Sequence, residues 1–242
     1  MSSKNDSLLE VSSLPSPEVY ELEYDFWPWG VLLQRVKDWV VEQAPRQATV
    51  LDYMCGTGYL LSKIANSRPD LNCQGCDITF DFVAYANRCY PKLAIINEDA
   101  LRYRPTNSPK VVLCTAGLHH LPFSQQPLFV KKVARELSNG DRFLLGEELV
   151  REHHNEKSRA LAALELGSAL IAHSLESEAP VNVTEAAFQV LRNDVFLNGE
   201  YKHSRSQILT LLEPYFEVER IEQTWPDDID AFGDFLFVCK RR

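Results

Sequence analysis

Four groups of residues in this chain have the types and spacing to do chemistry. The first is Asp52-Tyr53-Met54-Cys55-Gly56-Thr57-Gly58, a carboxylate followed by a turn with two glycines. Glycine removes the side chain that keeps a ligand off the backbone, and a helix starting behind the turn offers unpaired N–H groups. The second group is Asp77 and Asp99, single acids that each follow a short apolar run. The third is His119-His120, whose ordinary pKa of about 6.5 lets either ring take a proton near neutrality, although the pair can equally serve as structural hydrogen-bonding residues. The fourth is Cys73-Gln74-Gly75-Cys76, formally a C-x-x-C. No second pair follows at zinc spacing, and residues three apart on a strand point to opposite faces, so no metal or redox role is expected of it.

The elements that must hold these groups alternate along the chain. Thr49 to Leu51 reads as a buried strand entering the glycine turn, with a helix from Tyr59 to Asn66 behind it. Leu71 to Cys76, Leu93 to Ile96, Val111 to Cys114 and Phe143 to Leu145 read as further strands. Between them lie a helix containing Phe82, Tyr85 and Ala86, capped by Thr79 or Asp81, and a helix from Ser124 to Leu137 closed by Asn139-Gly140. Such alternation implies a largely parallel sheet with helices on both faces. Arg151 to about Val195 is helical in pattern and divided by Pro180; a short helix from Ser204 to Leu212 follows, and the runs Phe216 to Thr224 and Phe232 to Cys239 form an antiparallel pair at the sheet edge. The expected organisation is a flexible lead-in (1–17), lid helices (18–45), a ligand-binding core (46–150), a helical cap insertion (151–203), and a final helix and hairpin completing the core (204–242).

Composition narrows the classes. The 242 residues are 45% hydrophobic and 24% charged, which suits a globular α/β protein rather than a disordered one. A formal net charge of -9 offers no general field for phosphate backbones, so nucleic acid is disfavoured as the main partner. No apolar run reaches the roughly 18 residues of a membrane span, and the first residues lack a signal peptide's apolar core, so neither membrane contact nor export is expected and a cytoplasmic setting is. The six cysteines lie mostly in apolar segments, as reduced core thiols do. Tyr20, Tyr24, Trp27 and Trp29 crowd a short stretch near the N-terminus, and two readings stand side by side: an aromatic helix face docked on the core, or a lid that closes over a small apolar ligand.

Val50 to Gly58 resembles motif I of the class I S-adenosylmethionine-dependent methyltransferases: an acid at a strand end, then a glycine-rich turn. Asp77, Asp99 and Leu118-His119-His120-Leu121-Pro122 follow the next strands in order, as in many small-molecule members and the quinone C-methyltransferases. The resemblance covers about Val19 to Val150 and the closing hairpin, which matches the family's reversed last strand. It implies a Rossmann-like, seven-stranded, mostly parallel sheet with an antiparallel C-terminal strand. Met54 departs from the pattern, standing where the family usually has its first glycine.

The resemblance assigns S-adenosylmethionine as cofactor. Asp52, Cys55, Gly56 and Gly58 would meet its methionyl part, Asp77 its ribose hydroxyls, Ile78 and Ala100 its adenine, Asp99 the exocyclic amine, and Cys114 to Gly117, Thr115 included, the sulfonium end. The cofactor carries an activated methyl group, so the protein mainly aligns a nucleophile, excludes water and removes a proton; His119 is the preferred base and His120 the second. Tyr20, Tyr24, Trp27, Trp29, Glu147 and Tyr201 are candidate acceptor contacts. No metal is expected, because the fourth strand ends in Cys114-Thr115 without the Asp that catechol-type enzymes use, and Glu147, Glu148, Glu152, His153 and His154 lack a ligand spacing. The expected partner is a small-molecule acceptor, with homodimer formation left open. An NAD enzyme would want a third glycine where Leu61 stands; a macromolecular methyltransferase and a silent cofactor-binding module remain as alternatives.

Overall fold

In the computed structural model, which describes residues 15–242, sixteen elements build a seven-stranded sheet in the order β3-β2-β1-β4-β5-β7-β6. The strands are β1 (Thr49–Tyr53), β2 (Asn72–Asp77), β3 (Ala94–Asn97), β4 (Val111–Thr115), β5 (Arg142–Leu149), β6 (Phe216–Trp225) and β7 (Gly233–Arg241). β1 to β5 pair in parallel, and β7 runs antiparallel between β5 and β6. The central strands are buried on both faces, and this is why Val111-Val112-Leu113-Cys114 reads as an unbroken apolar run rather than an alternating one. Cys73 and Cys76 fall in two different core clusters, the opposite-face arrangement expected of that C-x-x-C.

Helices α1 (Pro17–Phe26) and α2 (Trp29–Gln43) precede the sheet. The aromatic stretch is therefore itself a helix, which Ser16 caps from its hydroxyl while Pro17 opens the first turn. Helices α3 (Tyr59–Ser67), α4 (Phe80–Cys89) and α5 (Gln126–Glu136) connect the parallel strands. Thr79 stands at the N-cap of α4 but its hydroxyl does not cap; the Asp77 carboxylate accepts the Thr79 N–H instead, at 2.8 Å. The helical hairpin α6 (Glu156–Glu176) and α7 (Val181–Phe196) follows β5, with the Asn155–Ser158 capping box starting α6. α8 (Arg205–Leu212) leads into β6. No helix among the described residues is long and apolar enough to cross a membrane.

The chain runs from β1 outward to β2 and β3, then returns to place β4 on the other side of β1. Loops leaving the carboxyl ends of β1 and β4 therefore splay apart, opening a crevice where ligands of parallel α/β sheets bind.

Candidate active site

The glycine turn occupies that crevice. Met54 (φ +57°), Gly56 (φ +54°) and Gly58 (φ +75°) are all left-handed, so the position where Met54 replaces a glycine does demand the conformation glycine prefers. Gly56 is needed for space as well: a Cβ there would lie 3.0 Å from Cε1 of Tyr20, whose ring leans over the turn from α1. The Gly56 N–H donates to Asp77 Oδ2 at 2.9 Å, while Asp77 Oδ1 takes the Thr79 N–H. Asp77 thus ties the end of β2 to the turn after β1, and each of its oxygens keeps a lone pair for a further donor.

Asp52 is fully buried beneath this turn, and its Oδ1 has no hydrogen-bond partner. Burial, with repulsion from Asp77 second, pushes its pKa up to about 8. An orphaned carboxyl beside a cradle that admits no side chain fits the ammonium-bearing end of S-adenosylmethionine. Farther along the strand ends, Ile78 is 60% exposed and Ala100 is buried. Asp99 Oδ1 accepts the Leu101 N–H at 2.8 Å, and Glu98 accepts the Asp99 N–H, so Asp99 is the acid that shapes this turn. Cys55 and Thr115 are buried flanking residues.

Beyond the turn lies an open cleft lined by Tyr20, Glu23, Trp27 and Trp29 from the N-terminal segment, by Ala116, His119 and His120 from the loop after β4, by Glu148 of β5, and by α7. Tyr20, Trp27 and Trp29 thus meet at the cleft. Tyr24 does not line it; the ring stacks on Tyr59 at 4.3 Å and helps anchor α1. Tyr201 also stands outside the lining and packs edge-on against Phe123, while its N–H bonds the His119 carbonyl at 2.7 Å.

The histidines part company. His119 is buried, with Nδ1 2.6 Å from Glu147 Oε2 and Nε2 3.4 Å from Glu200 Oε2. Burial opposes its charge, but Glu147 and Glu200 outweigh burial and raise its pKa to about 9. Glu147, a candidate acceptor contact, stands outside the cleft lining: its other oxygen accepts the Gly117 and Leu118 N–H groups at 3.1 and 2.8 Å, fixing the loop that carries His119. The His120 side chain is 46% exposed, and its Nδ1 lies 3.2 Å from the Gly199 carbonyl. That bond places the proton on Nδ1 and leaves the Nε2 lone pair free. Burial and the neighbouring imidazolium of His119 lower its pKa.

Three functional candidates were missed by sequence reasoning. Glu23 lies 3% exposed in the cleft, and burial with Glu148 nearby pushes its pKa up to about 9. Glu200 is held down to about 2, against burial, by Lys202 and the two imidazoles. Lys202, 1% exposed, binds Glu200 at 2.8 Å, Glu148 at 3.1 Å and Asp194 at 3.7 Å. His119, His120 and Glu200 have ligand-type atoms within 4.8 Å of one another, but Lys202 and Glu147 already engage two of the three. Glu152 caps α8 through Ser204 and Ser206, while His153 bonds the Arg151 carbonyl.

A parallel sheet closed by a reversed strand, with a glycine turn after β1 and an acid after β2, defines the class I methyltransferase fold. Residues 50–140 match the family described as a methyltransferase domain. Its structure is similar to the mitomycin 7-O-methyltransferase MmcR, at 17% identity and a TM-score of 0.61, over 98% of this chain and 62% of that one. It is also similar to the plantazolicin methyltransferase BpumL solved with SAH (15% identity, TM-score 0.61, 93% and 90% covered). A third likeness is to magnesium protoporphyrin IX methyltransferase from Synechocystis PCC 6803 with bound SAH (14% identity, TM-score 0.60, 98% and 90% covered). At these identities the likeness is one of fold, and this chain spans less than two thirds of the MmcR chain. No curated protein matches the sequence.

Proposed function

We propose that the chain transfers the methyl group of S-adenosylmethionine to an oxygen, nitrogen or activated carbon of a small organic acceptor. The observation that carries this reading is that Tyr20 packs on Gly56 of the glycine turn and also lines the aromatic cleft, so the cleft opens directly beside that turn. The cleft has the mixed polar and aromatic lining of a small-molecule site. When bound, the cofactor supplies the electrophilic methyl group; the protein's part is alignment and proton removal. Trp27, Trp29 and Tyr20 exclude water and orient the acceptor. His120 takes the acceptor's proton on Nε2, because it is neutral and borders the cleft. His119 is a positioning residue: its two carboxylate partners hold it as a cation at neutral pH, unable to accept a proton. Asp77, Asp99, Ile78 and Ala100 hold the adenosyl half, and Asp52 with the Cys55–Gly58 turn holds the methionyl half.

The test is incubation of the purified protein with trideuteromethyl-labelled S-adenosylmethionine and fractionated cell extract. Label is expected in a low-mass product, and His120→Ala should lower that rate far more than cofactor affinity. Label found only in protein would favour a protein methyltransferase. Cofactor binding without any transfer would favour a silent binding module.

A further inference from the structure

The charge pattern of the acceptor cleft carries one more step. Three carboxylates line it: Glu23, Glu148 and Glu200. Two already have ion-pair partners: Lys202 lies 3.1 Å from Glu148 and 2.8 Å from Glu200. Glu23 has no hydrogen bond or ion pair to its side chain among the described residues, although only 3% of the residue is exposed. A carboxyl withdrawn from water without a partner is a costly arrangement that a ligand can relieve. Its neighbours are of one kind: Trp27 and Trp29 are 7% and 5% exposed and line the same cleft, and the Nε1–H of each is also unpartnered. Tyr20 adds a third ring, 5.4 Å from Trp29. A buried acid among aromatic rings is an environment in which organic ammonium groups bind, the cation drawing the carboxyl into its charged form and meeting the negative faces of the rings.

We infer that the acceptor carries a basic amine, bound as its ammonium ion against Glu23 and between the aromatic side chains of Trp27, Trp29 and Tyr20. This rests on reading the cleft as the acceptor site. An alcohol of the same shape would bond Glu23 without the charge attraction, and a carboxylate would face it with like charge or meet it only in its protonated form. Such mismatches are rejected more strongly than a missing methylene is.

The test compares benzylamine, benzyltrimethylammonium, benzyl alcohol and benzoate binding to the full chain saturated with S-adenosylhomocysteine, followed by calorimetry and tryptophan fluorescence. Both cations are expected to bind at least tenfold more tightly than the alcohol, with benzoate weakest. Glu23→Gln should remove most of that preference while leaving cofactor affinity within about twofold. Equal binding of amine and alcohol overturns the inference, as does a preference that survives Glu23→Gln. Displacement of the cations by S-adenosylmethionine, but not by S-adenosylhomocysteine, overturns it too, since Glu23 would then serve the sulfonium. Failure of either cofactor to bind would instead strike at the methyltransferase reading and is scored separately by cofactor titration alone. Should Glu23→Gln fold poorly, Trp29→Phe, which keeps an aromatic ring and removes the indole N–H, is expected to weaken the cations and the alcohol unequally.

Discussion

Asp77→Asn separates a ribose-binding acid from an ordinary loop aspartate. In the folded chain both carboxylate oxygens work: Oδ2 accepts the Gly56 N–H at 2.9 Å and Oδ1 the Thr79 N–H at 2.8 Å. Asparagine offers one oxygen, so its amide N–H₂ must face one of those two donors. One charge-assisted bond is lost and a largely buried N–H is left unpaired, a cost of about 2 kcal/mol. For a chain of this size that corresponds to a fall in Tm of about 4–8 °C. The cofactor loses more than this destabilisation implies, because the same carboxylate both sets the glycine turn and points to the ribose position. S-adenosylmethionine affinity should fall at least tenfold, about 1.4 kcal/mol. Calorimetric titration of wild type and variant, with thermal melts in the absence of ligand, measures both quantities. Asp99→Asn is the control: its carboxylate sits on a more exposed turn and accepts only one backbone N–H, so the affinity loss should be smaller. A Tm that falls as expected while cofactor affinity stays within about twofold of wild type would refute the ribose assignment and leave Asp77 as a loop tie.

Three further outcomes follow from the buried charges and the strained turn. Asp52 has its pKa raised to about 8 by burial and by Asp77. Its folded form holds a proton that the unfolded chain releases above the ordinary carboxylate range, so this contribution to stability is present at low pH and fades as pH rises toward 8. Asp52→Asn should therefore gain Tm relative to wild type between pH 5 and pH 8 and hold that gain above it; a difference independent of pH would remove the burial argument. Lys202→Met leaves Glu148, Glu200 and Asp194 without their shared cation, and should cost about 3–5 kcal/mol in urea unfolding. A loss under about 1 kcal/mol would mean that the three acids are neutral without it. At Met54, with φ +57°, glycine should be tolerated or slightly stabilising, and valine should cost about 1–3 kcal/mol. Valine outperforming glycine would contradict the left-handed backbone there.

The cofactor side was legible in sequence because each of its residues is announced locally. Asp52, Gly56, Gly58, Asp77 and Asp99 follow strands whose apolar runs are visible one at a time, and parallel pairing brings those strand ends to one edge without further information. Even the α1 helix carried its signal, Ser16 before Pro17. The acceptor side was not legible, for a physical reason. Glu23, Glu148, Glu200 and Lys202 come from α1, β5 and the loop before α8, and each looks by itself like a solvated surface residue. Nothing local distinguishes Glu147 from Glu148 either. Neighbours on a strand face opposite ways, and only the placement of the β4 loop makes Glu147 the clamp on His119 and leaves Glu148 to Lys202 and the cleft. The same placement divides the two histidines, whose spacing gave no ground for separating them. His119 pairs with Glu147 and Glu200, whereas the Nδ1 of His120 faces the Gly199 carbonyl. The glycine turn and its acids are thus written in short segments. The aromatic cleft is assembled by long-range charge pairing, and Glu23 is the acid which that pairing leaves over.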